Sequence, residues 1–346
     1  MDREFLKDLL LTPSVSGYEE ANQKKALAFG KEFAHKQLCD NTGNAISVVN
    51  PEAACKVLLC GHMDEIGFVV SHVQDNGMLK LTKSGGVRPK LYIGEPVQII
   101  HEGKKVEGVV AVTPSLLKKE DVKATDLIVD IGAKDKEQAL QYVAVGDQVC
   151  ADTQIHELLN DNFSTRAIDD RAGAFVVLEA AKKAAAQGAK AGIYAATTVG
   201  EETSGRGAYY AASRVSPSCA VIVDVTWVSD APETDPANTG DVKLGKGPVL
   251  CMSSIVNKKM NGLMKQIAED LKMEIQWEVS PEHTSTDGDD VNVCVEGVPV
   301  VLVSIPLRYM HSSVEIGNWN DIQNCIDLIA EFLMRIDESF DYCPLS

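Results

Sequence analysis

The sequence predicts an α/β fold that is interrupted by a small β-rich domain. Helical periodicity opens the chain, short strands separated by turn signals fill the region from about residue 66 to about residue 150, and helices alternate with apolar strands from Ala172 onward. The last pattern is typical of an α/β domain, and the different texture of the middle region indicates an insertion. With 346 residues, the chain is long enough to bury a substantial core.

Local patterns predict the order of the elements. Residues 3–11 and 18–38 have helical periodicity, and Glu19 and Glu20 suit the positive N-terminal end of the second helix. Turn signals separate the runs that we predict as strands, namely residues 45–49, 56–60, 66–73, 79–81, 96–101, 105–112 and 127–131. The remainder predicts helix 172–187, strand 192–199, a helix after Gly205, strand 220–226, helix 259–272, strand 299–305 and helix 320–339.

Composition argues against several classes of protein. Hydrophobic residues make up 45% of the chain, and no run approaches the roughly 20 apolar residues that cross a bilayer. The stretch Met1–Glu4 leads into a charged helix instead of an export signal. Nine scattered cysteines without a Cys-x-x-Cys pair favour reduced thiols and a cytoplasmic location.

The formal charge of −17 argues against nucleic acid as a partner, because that role requires Lys and Arg to neutralise phosphates. A membrane partner is also not expected. An acidic protein favours peptides with positive termini, but many acidic proteins use their charge only for solubility. Composition leaves both interpretations open.

Histidine and carboxylate residues follow several of the predicted strands. Strand 56–60 runs into His62 and Asp64, strand 192–199 runs into Glu201 and Glu202, and strand 220–224 ends with Asp224. The strand at residues 300–305 precedes His311, and Asp169 stands just before the Ala-rich helix. Ligands of open α/β sheets bind beyond the carboxyl ends of the strands, so these side chains are expected to converge.

Each of these residues alone also fits a structural role. A single histidine after a strand is usually a hydrogen-bonded residue, Asp169 and Asp170 fit helix caps, and a Glu-Glu pair is usually solvated. The joint pattern favours a metal site. Asp64 is positioned to hold the His62 ring and fix its tautomer, and one member of the Glu pair can bind metal while the other takes a proton.

The mixture of nitrogen and oxygen ligands suits zinc or cobalt, with manganese possible, and no cysteine is placed for a thiolate site. Charge counting favours two divalent ions, because Asp169, Glu202 and Asp224 leave one positive charge that a bridging hydroxide neutralises. Such a hydroxide forms near neutral pH and can attack an amide carbonyl.

The sequence resembles metallopeptidase family 42 of the MH clan, which contains the tetrahedral aminopeptidases of the glutamyl and deblocking types. The resemblance extends through nearly the whole chain. Its motifs are Ser16-Gly17-Tyr18-Glu19, Gly61-His62-Met63-Asp64-Glu65-Ile66-Gly67, Asp130-Ile131-Gly132-Ala133, Val145-Gly146-Asp147, Asp169-Asp170-Arg171, Gly200-Glu201-Glu202, Asp224-Val225-Thr226 and Arg308-Tyr309-Met310-His311-Ser312.

This resemblance implies a mixed-sheet α/β/α metallopeptidase domain formed by residues 1–65 and 159–346. It also implies that residues 66–158 form an inserted β-rich dimerisation domain, either barrel or PDZ-like, which in relatives mediates assembly into dimers and hollow dodecamers. The expected activity is removal of N-terminal residues from peptides with a free α-amine. A homo-oligomer, from dimer to tetrahedral dodecamer, is expected.

The resemblance also implies the roles of individual residues. Asp169 would bridge the two metals, His62 and Asp224 would complete one coordination sphere, and Glu202 and His311 would complete the other. Glu201 would be the general base and then the acid that protonates the leaving amine. Asp64 would orient His62.

One motif departs from the family pattern. The family usually continues the Glu-Glu pair with Val-Gly-Leu-Arg-Gly-Ala, whereas this chain has Thr203-Ser204-Gly205 before Arg-Gly-Ala. The moved glycine changes which position adopts a positive φ cheaply, so the loop beside Glu201 is expected to differ.

Three other interpretations remain open: a glycoside hydrolase, an inactive metal-binding scaffold, and a deacylase or carboxypeptidase on the same fold. A glycosidase requires two carboxyl groups but rarely two histidines and metals, and only three tryptophans are available to stack on sugars. The side-chain preference is open too, since Arg206, Arg308 and Lys258 either attract acidic residues or form structural ion pairs.

Overall fold

The computed structural model describes the backbone of residues 1–346 and all side chains except that of Thr239. Its helices are α1 (Arg3–Leu11), α2 (Glu20–Gly30), α3 (Pro114–Lys118), α4 (Lys136–Ala139), α5 (Ile168–Gln187), α6 (Glu201–Ser204), α7 (Arg206–Val215), α8 (Pro236–Thr239), α9 (Lys258–Leu271), α10 (Asp287–Asn292) and α11 (Trp319–Arg335).

The strands are β1 (Lys36–Cys39), β2 (Ala45–Val49), β3 (Lys56–His62), β4 (Gly67–Val73), β5 (Leu79–Ser84), β6 (Pro96–His101), β7 (Lys104–Val110), β8 (Ile128–Asp130), β9 (Gln148–Ala151), β10 (His156–Glu157), β11 (Asn162–Thr165), β12 (Gly192–Thr198), β13 (Cys219–Trp227), β14 (Val249–Ser253), β15 (Gln276–Ser280), β16 (Val300–Leu307) and β17 (Glu315–Asn318).

The main sheet has eight strands in the order β1-β2-β12-β3-β13-β16-β14-β15. Its four inner strands, β12, β3, β13 and β16, are parallel to one another, whereas β2 pairs antiparallel with β12 and β14 pairs antiparallel with β16. Helices cover both faces of a parallel sheet, so the residues of its strands are apolar on both faces. The predicted α/β fold with a mixed sheet is confirmed.

Successive residues of β3 pack into the two helical layers. Val57 and Leu59 lie in the core that contains α5 and α11, whereas Leu58 and Cys60 lie in the core that contains α7. Side chains alternate between the two faces of a strand, so the continuous apolar run in the sequence feeds both layers. This arrangement leaves the carboxyl ends of the strands free to carry polar groups.

The β-rich insertion is a closed six-stranded barrel in the order β4-β5-β8-β7-β6-β9. It has its own core, in which the rings of Phe68 and Tyr92 contact edge to face with centroids 4.9 Å apart. Closure pairs both sheet edges, which removes the exposed backbone groups of an open sheet. The chain enters the barrel after β3 and leaves it before β10. Strands β10, β11 and β17 form a small third sheet.

The helix predicted at residues 18–38 is too long, because α2 ends at Gly30 and residues 36–39 form the edge strand β1. A Cβ on Gly30 would overlap the Ser47 hydroxyl, so β2 packs against this glycine at the helix end. The helix predicted to end at residue 339 stops at Arg335. Strands β14 and β15 were not predicted.

Among the residues that the structure describes, no helix is long and apolar enough to cross a membrane. All nine cysteines are free thiols, and only Cys39 and Cys343 are exposed.

Candidate active site

The predicted site residues meet at one cavity of about 470 Å³ beyond the carboxyl ends of the inner strands. His62 ends β3, Glu201 follows β12, and Asp224 lies near the end of β13. The cavity lining includes His62, Asp169, Glu201, Glu202, Asp224 and His311. Asp64 is fully buried beside them. The structure therefore brings all seven predicted residues together.

Asp169 lies between the two histidines. Its Oδ1 is 3.3 Å from Nε2 of His62, and its Oδ2 is 3.2 Å from Nε2 of His311. The two oxygens of one carboxylate thus face two different imidazoles. Asp169 and Asp170 interrupt the first turn of α5 with non-helical φ and ψ angles, and this backbone path carries Asp169 into the cavity.

The donor atoms fit divalent cations. Ligand atoms of His62, Asp169 and Glu202 lie within 4.8 Å of one another, and so do those of His62, Asp170 and Asp224. Oε1 of Glu202 is buried and has no hydrogen-bond partner in the described structure. A buried carboxylate oxygen without a partner is costly, and a bound cation would satisfy it.

Burial raises the pKa of several of these carboxyl groups. Burial and the charge of Asp169 hold the pKa of Glu202 well above its usual range, and burial and Asp170 do the same for Asp224. The pKa of Asp169 is low, because hydrogen bonds with His311 and His62 outweigh the effect of burial. These shifts favour the protonated carboxyl groups, and a bound metal ion would favour the ionised forms.

Glu201 lies beside the predicted metal ligands and opens on to the cavity. Its Oε2 is 3.7 Å from Nε2 of His62, which is too long for a direct hydrogen bond. Burial, with the nearby charge of Asp224 opposing the effect of His62, raises the pKa of Glu201 to about 9. A carboxyl group with a raised pKa is suited to moving protons near neutral pH.

Asp64 contacts both the His62 ring and the loop after β12. Nδ1 of His62 is 3.1 Å from the backbone carbonyl of Asp64 and 3.5 Å from its Oδ1. The carboxylate also accepts hydrogen bonds from the backbone N–H groups of Glu201 and Glu202, at 3.1 and 3.2 Å, and from the Ser16 hydroxyl. Asp64 thus links the loop after β3 to the loop after β12.

The sequence model of the family described as "M42 glutamyl aminopeptidase" matches residues 43–328. The chain belongs to the M42 family. It is therefore a peptide hydrolase and a metal-dependent aminopeptidase, and the cluster around Asp169 is a possible metal-binding site.

Full-length relatives agree with this M42 assignment. The lysyl aminopeptidase of Pyrococcus furiosus is 31% identical and covers 99% of this chain and 100% of its own length. The structure of a TET aminopeptidase from a marine sediment archaeon of the Thaumarchaeota superposes with a TM-score of 0.91, at 28% identity, over 97% of this chain and 96% of that one. The Pyrococcus horikoshii TET1 peptidase gives a TM-score of 0.87 at 31% identity, over 96% and 99% of the two chains.

Sequence reasoning missed Glu315 of this M42 chain. Its buried Oε2 accepts hydrogen bonds from the backbone N–H groups of Ile168 and Asp169, and its Oε1 accepts one from the N–H of His311 at 3.0 Å. One carboxylate therefore holds the segments that carry two predicted ligands. The residue lies on β17, which was not predicted, so no sequence signal pointed to it.

A buried ion-pair network also holds the start of α5, which carries Asp169. Glu65 accepts hydrogen bonds from both Arg166 and Arg171, and Arg171 also donates to the carbonyl of Leu10 at 2.9 Å. Removing Glu65 would leave two buried arginines without a counter-charge, which is strongly destabilising. The network fixes α1, the loop after β3 and the start of α5 in one arrangement.

The loop in which this chain departs from the M42 pattern joins α6 to α7. Gly205 has a φ of +60°, and a Cβ there would overlap the carboxylate of Asp290. The positive φ and the close approach of Asp290 both favour a glycine at this position of this chain.

Proposed function

We propose that the protein is a dinuclear metallo-aminopeptidase that removes N-terminal residues from peptides with a free α-amine. The observation that carries the proposal is the position of Asp169, whose two oxygens face His62 and His311 at 3.3 and 3.2 Å. In this proposal Asp169 would be shared by two ions, His62 and Asp224 would help to hold one of them, and Glu202 and His311 would help to hold the other. Zinc or cobalt suits these donors, with manganese possible.

Divalent ions held by these residues would supply Lewis acidity toward the scissile carbonyl and lower the pKa of a water molecule. Glu201 faces this position without a competing hydrogen bond to His62, so it can accept a proton from the attacking water and donate it to the leaving amine. The acidic cavity attracts the positive α-amine of the substrate. Asp64 keeps the backbone of Glu201 in place through its hydrogen bond.

We further propose a division of labour within the chain. Residues 1–65 and 159–346 carry out catalysis, and residues 66–158 mediate dimerisation. The barrel surface carries exposed apolar side chains, among them Val109, Val112 and Leu117, which suit burial against a second copy. The Pyrococcus horikoshii TET1 peptidase assembles into a tetrahedron or an octahedral shell, and we propose homo-oligomers of this kind here. The scattered cysteines of the sequence favour the cytoplasm.

The test is to remove bound metal, reconstitute the protein with cobalt or zinc, and measure cleavage of aminoacyl-coumarin amides beside their N-acetylated forms. We expect metal-dependent cleavage of the free-amine substrates alone. Glu201→Gln should bind two ions per chain by elemental analysis and lose about 10²- to 10⁴-fold in turnover. One bound ion per chain would contradict the dinuclear site.

Cleavage of the N-acetylated substrates alone would indicate a deacylase instead. Two bound ions without any cleavage would indicate a metal-binding scaffold. Light scattering of the metal-loaded protein measures its assembly, and a monomer would contradict the role of the barrel.

A further inference from the structure

One wall of the cavity lies away from the predicted metal ligands and contains a carboxylate without an assigned role. Strands β13, β16, β14 and β15 form this wall and contribute Thr226, Leu302, Ser304, Cys251 and Glu278 to the lining. Glu278 is buried, with only 9% of its surface exposed. Among the described residues that line the cavity, none is a lysine or an arginine.

Strand geometry connects this wall to the catalytic centre. Asp224 and Thr226 are two residues apart on β13, so both side chains are on the same face of the sheet and about 6.5 Å apart along the strand. Asp224 is paired with Ser304 on β16, and Cys251 on β14 is paired with Glu278 on β15. The distance along β13 is comparable to the length of an extended lysine side chain.

Two hydroxyl groups hold the Glu278 carboxylate. Ser304 Oγ donates a hydrogen bond to Oε1 at 2.7 Å, and Thr226 Oγ1 donates one to Oε2. A carboxylate oxygen can accept more than one hydrogen bond, so both oxygens retain capacity for another donor. The neutral hydroxyls orient this carboxyl group but supply no positive charge, and the ionised form of a buried carboxyl group is costly without a counter-ion.

The basic residues Arg206, Arg308 and Lys258 do not provide a counter-ion for Glu278. Arg308 forms an ion pair with Asp230, at 2.7 Å between Nη2 and Oδ2. Arg206 donates a hydrogen bond to the Ser204 hydroxyl at 3.0 Å. None of these three residues lines the cavity. The wall is therefore acidic and unfavourable for the side chain of an N-terminal glutamate.

We propose that Glu278 determines substrate specificity by receiving the cationic side chain of an N-terminal lysine or arginine. This inference rests on the proposed aminopeptidase function. The apolar surface of Leu302 would pack against the aliphatic stem of the substrate side chain, as such stems do elsewhere in proteins. The ammonium or guanidinium group would form a charge-assisted hydrogen bond with Glu278.

The test compares lysyl-coumarin amide with norleucyl-coumarin amide, because the norleucine side chain has the same stem without the ammonium group. For the metal-loaded wild-type protein we expect kcat/KM to be at least about tenfold higher for lysine, which corresponds to about 1.4 kcal/mol. In Glu278→Gln this ratio should fall about tenfold. Glu274→Gln is the matched control, because Glu274 is an exposed carboxylate just before β15, and it should leave the ratio unchanged.

A second measurement does not depend on turnover. Calorimetry of the metal-loaded protein should show that L-lysine, the product of lysyl cleavage, binds more tightly than L-norleucine. Equal affinity for the two amino acids, or an equal ratio in Glu278→Gln and wild type, would overturn the assignment of Glu278.

The wild-type comparison requires no variant, so it tests the predicted preference for lysine even if Glu278→Gln folds poorly. Efficient cleavage of norleucyl or glutamyl substrates without a preference for lysine would overturn only this inference and leave the aminopeptidase standing. Failure to cleave any free-amine substrate would overturn both.

Discussion

The backbone N–H of Glu201 donates a hydrogen bond to Oδ1 of Asp64 at 3.1 Å, so a fully buried carboxylate holds the loop of the proposed general base. The second oxygen of Asp64 accepts the N–H of Glu202 at 3.2 Å. One side chain on the loop after β3 thus sets the position of two functional residues after β12. Asp64 therefore contacts the proposed base, a proposed metal ligand and the His62 ring.

We expect Asp64→Asn to lose about 10- to 100-fold in activity or metal affinity, the usual effect of removing a residue that orients metal ligands. An amide accepts hydrogen bonds through only one atom, so the N–H of Glu201 or of Glu202 would lose its partner. The measurements are metal content and kcat/KM. Asp270→Asn, which removes a surface carboxylate paired with Arg335, is the control and should retain both. Full activity of Asp64→Asn would show that the loop holds its position without this contact.

We expect metal binding to release protons and to weaken as the pH falls. Burial raises the pKa of Glu202 and Asp224 in the metal-free protein, and hydrogen bonds with Asp169 and Asp64 raise that of His62 against the opposing effect of burial. Metal ions bind the deprotonated forms, so lower pH favours the competing protons.

Calorimetric titration with zinc in two buffers of different ionisation enthalpy measures this release. His101→Ala is the control, because His101 pairs with Asp147 in the barrel and should not change the number of protons. A heat that is the same in both buffers would contradict proton release.

We expect Glu315→Gln to weaken metal binding by about 10- to 100-fold, since a glutamine cannot accept hydrogen bonds at both ends of its amide. The N–H groups of Ile168 and Asp169, or that of His311, would then lose a partner. The measurement is the zinc dissociation constant from competition with a chelator. If Glu315 serves folding alone, the thermal stability will fall while the zinc affinity of the folded protein stays the same.

We expect Gly61→Ala to destabilise the protein by roughly 1–3 kcal/mol, the usual effect of overpacking. A Cβ at Gly61 would be 2.5 Å from backbone atoms of Gly173 and Ala174, where α5 crosses β3. Gly262→Ala is the matched control, because its Cβ would meet nothing within 4 Å in the middle of α9. This control should gain about 0.5–1 kcal/mol, since alanine is the better helix former. Denaturant unfolding measures both, and equal stabilities would show that α5 can move away from β3.

Local patterns were sufficient for much of the main domain. The apolar run at residues 56–60 predicted β3, and the Ala-rich run at residues 172–187 predicted most of α5. The length of α2 was predicted wrongly, because its end depends on the approach of Ser47 to Gly30 in three dimensions. The same is true of β14 and β15, which are short and pair with strands distant in the sequence.

The sequence by itself determined the α/β fold, the β-rich insertion and the residue types that suit a metal site, because periodicity and the polar residues after strands are local properties of the chain. Only the tertiary structure decided which groups share one space. Asp64 reaches Glu201 across 137 residues, Glu315 reaches Asp169 across 146, and Thr226 reaches Glu278 across 52. Such contacts depend on strand order and register, which arise when the whole sheet packs between its helices.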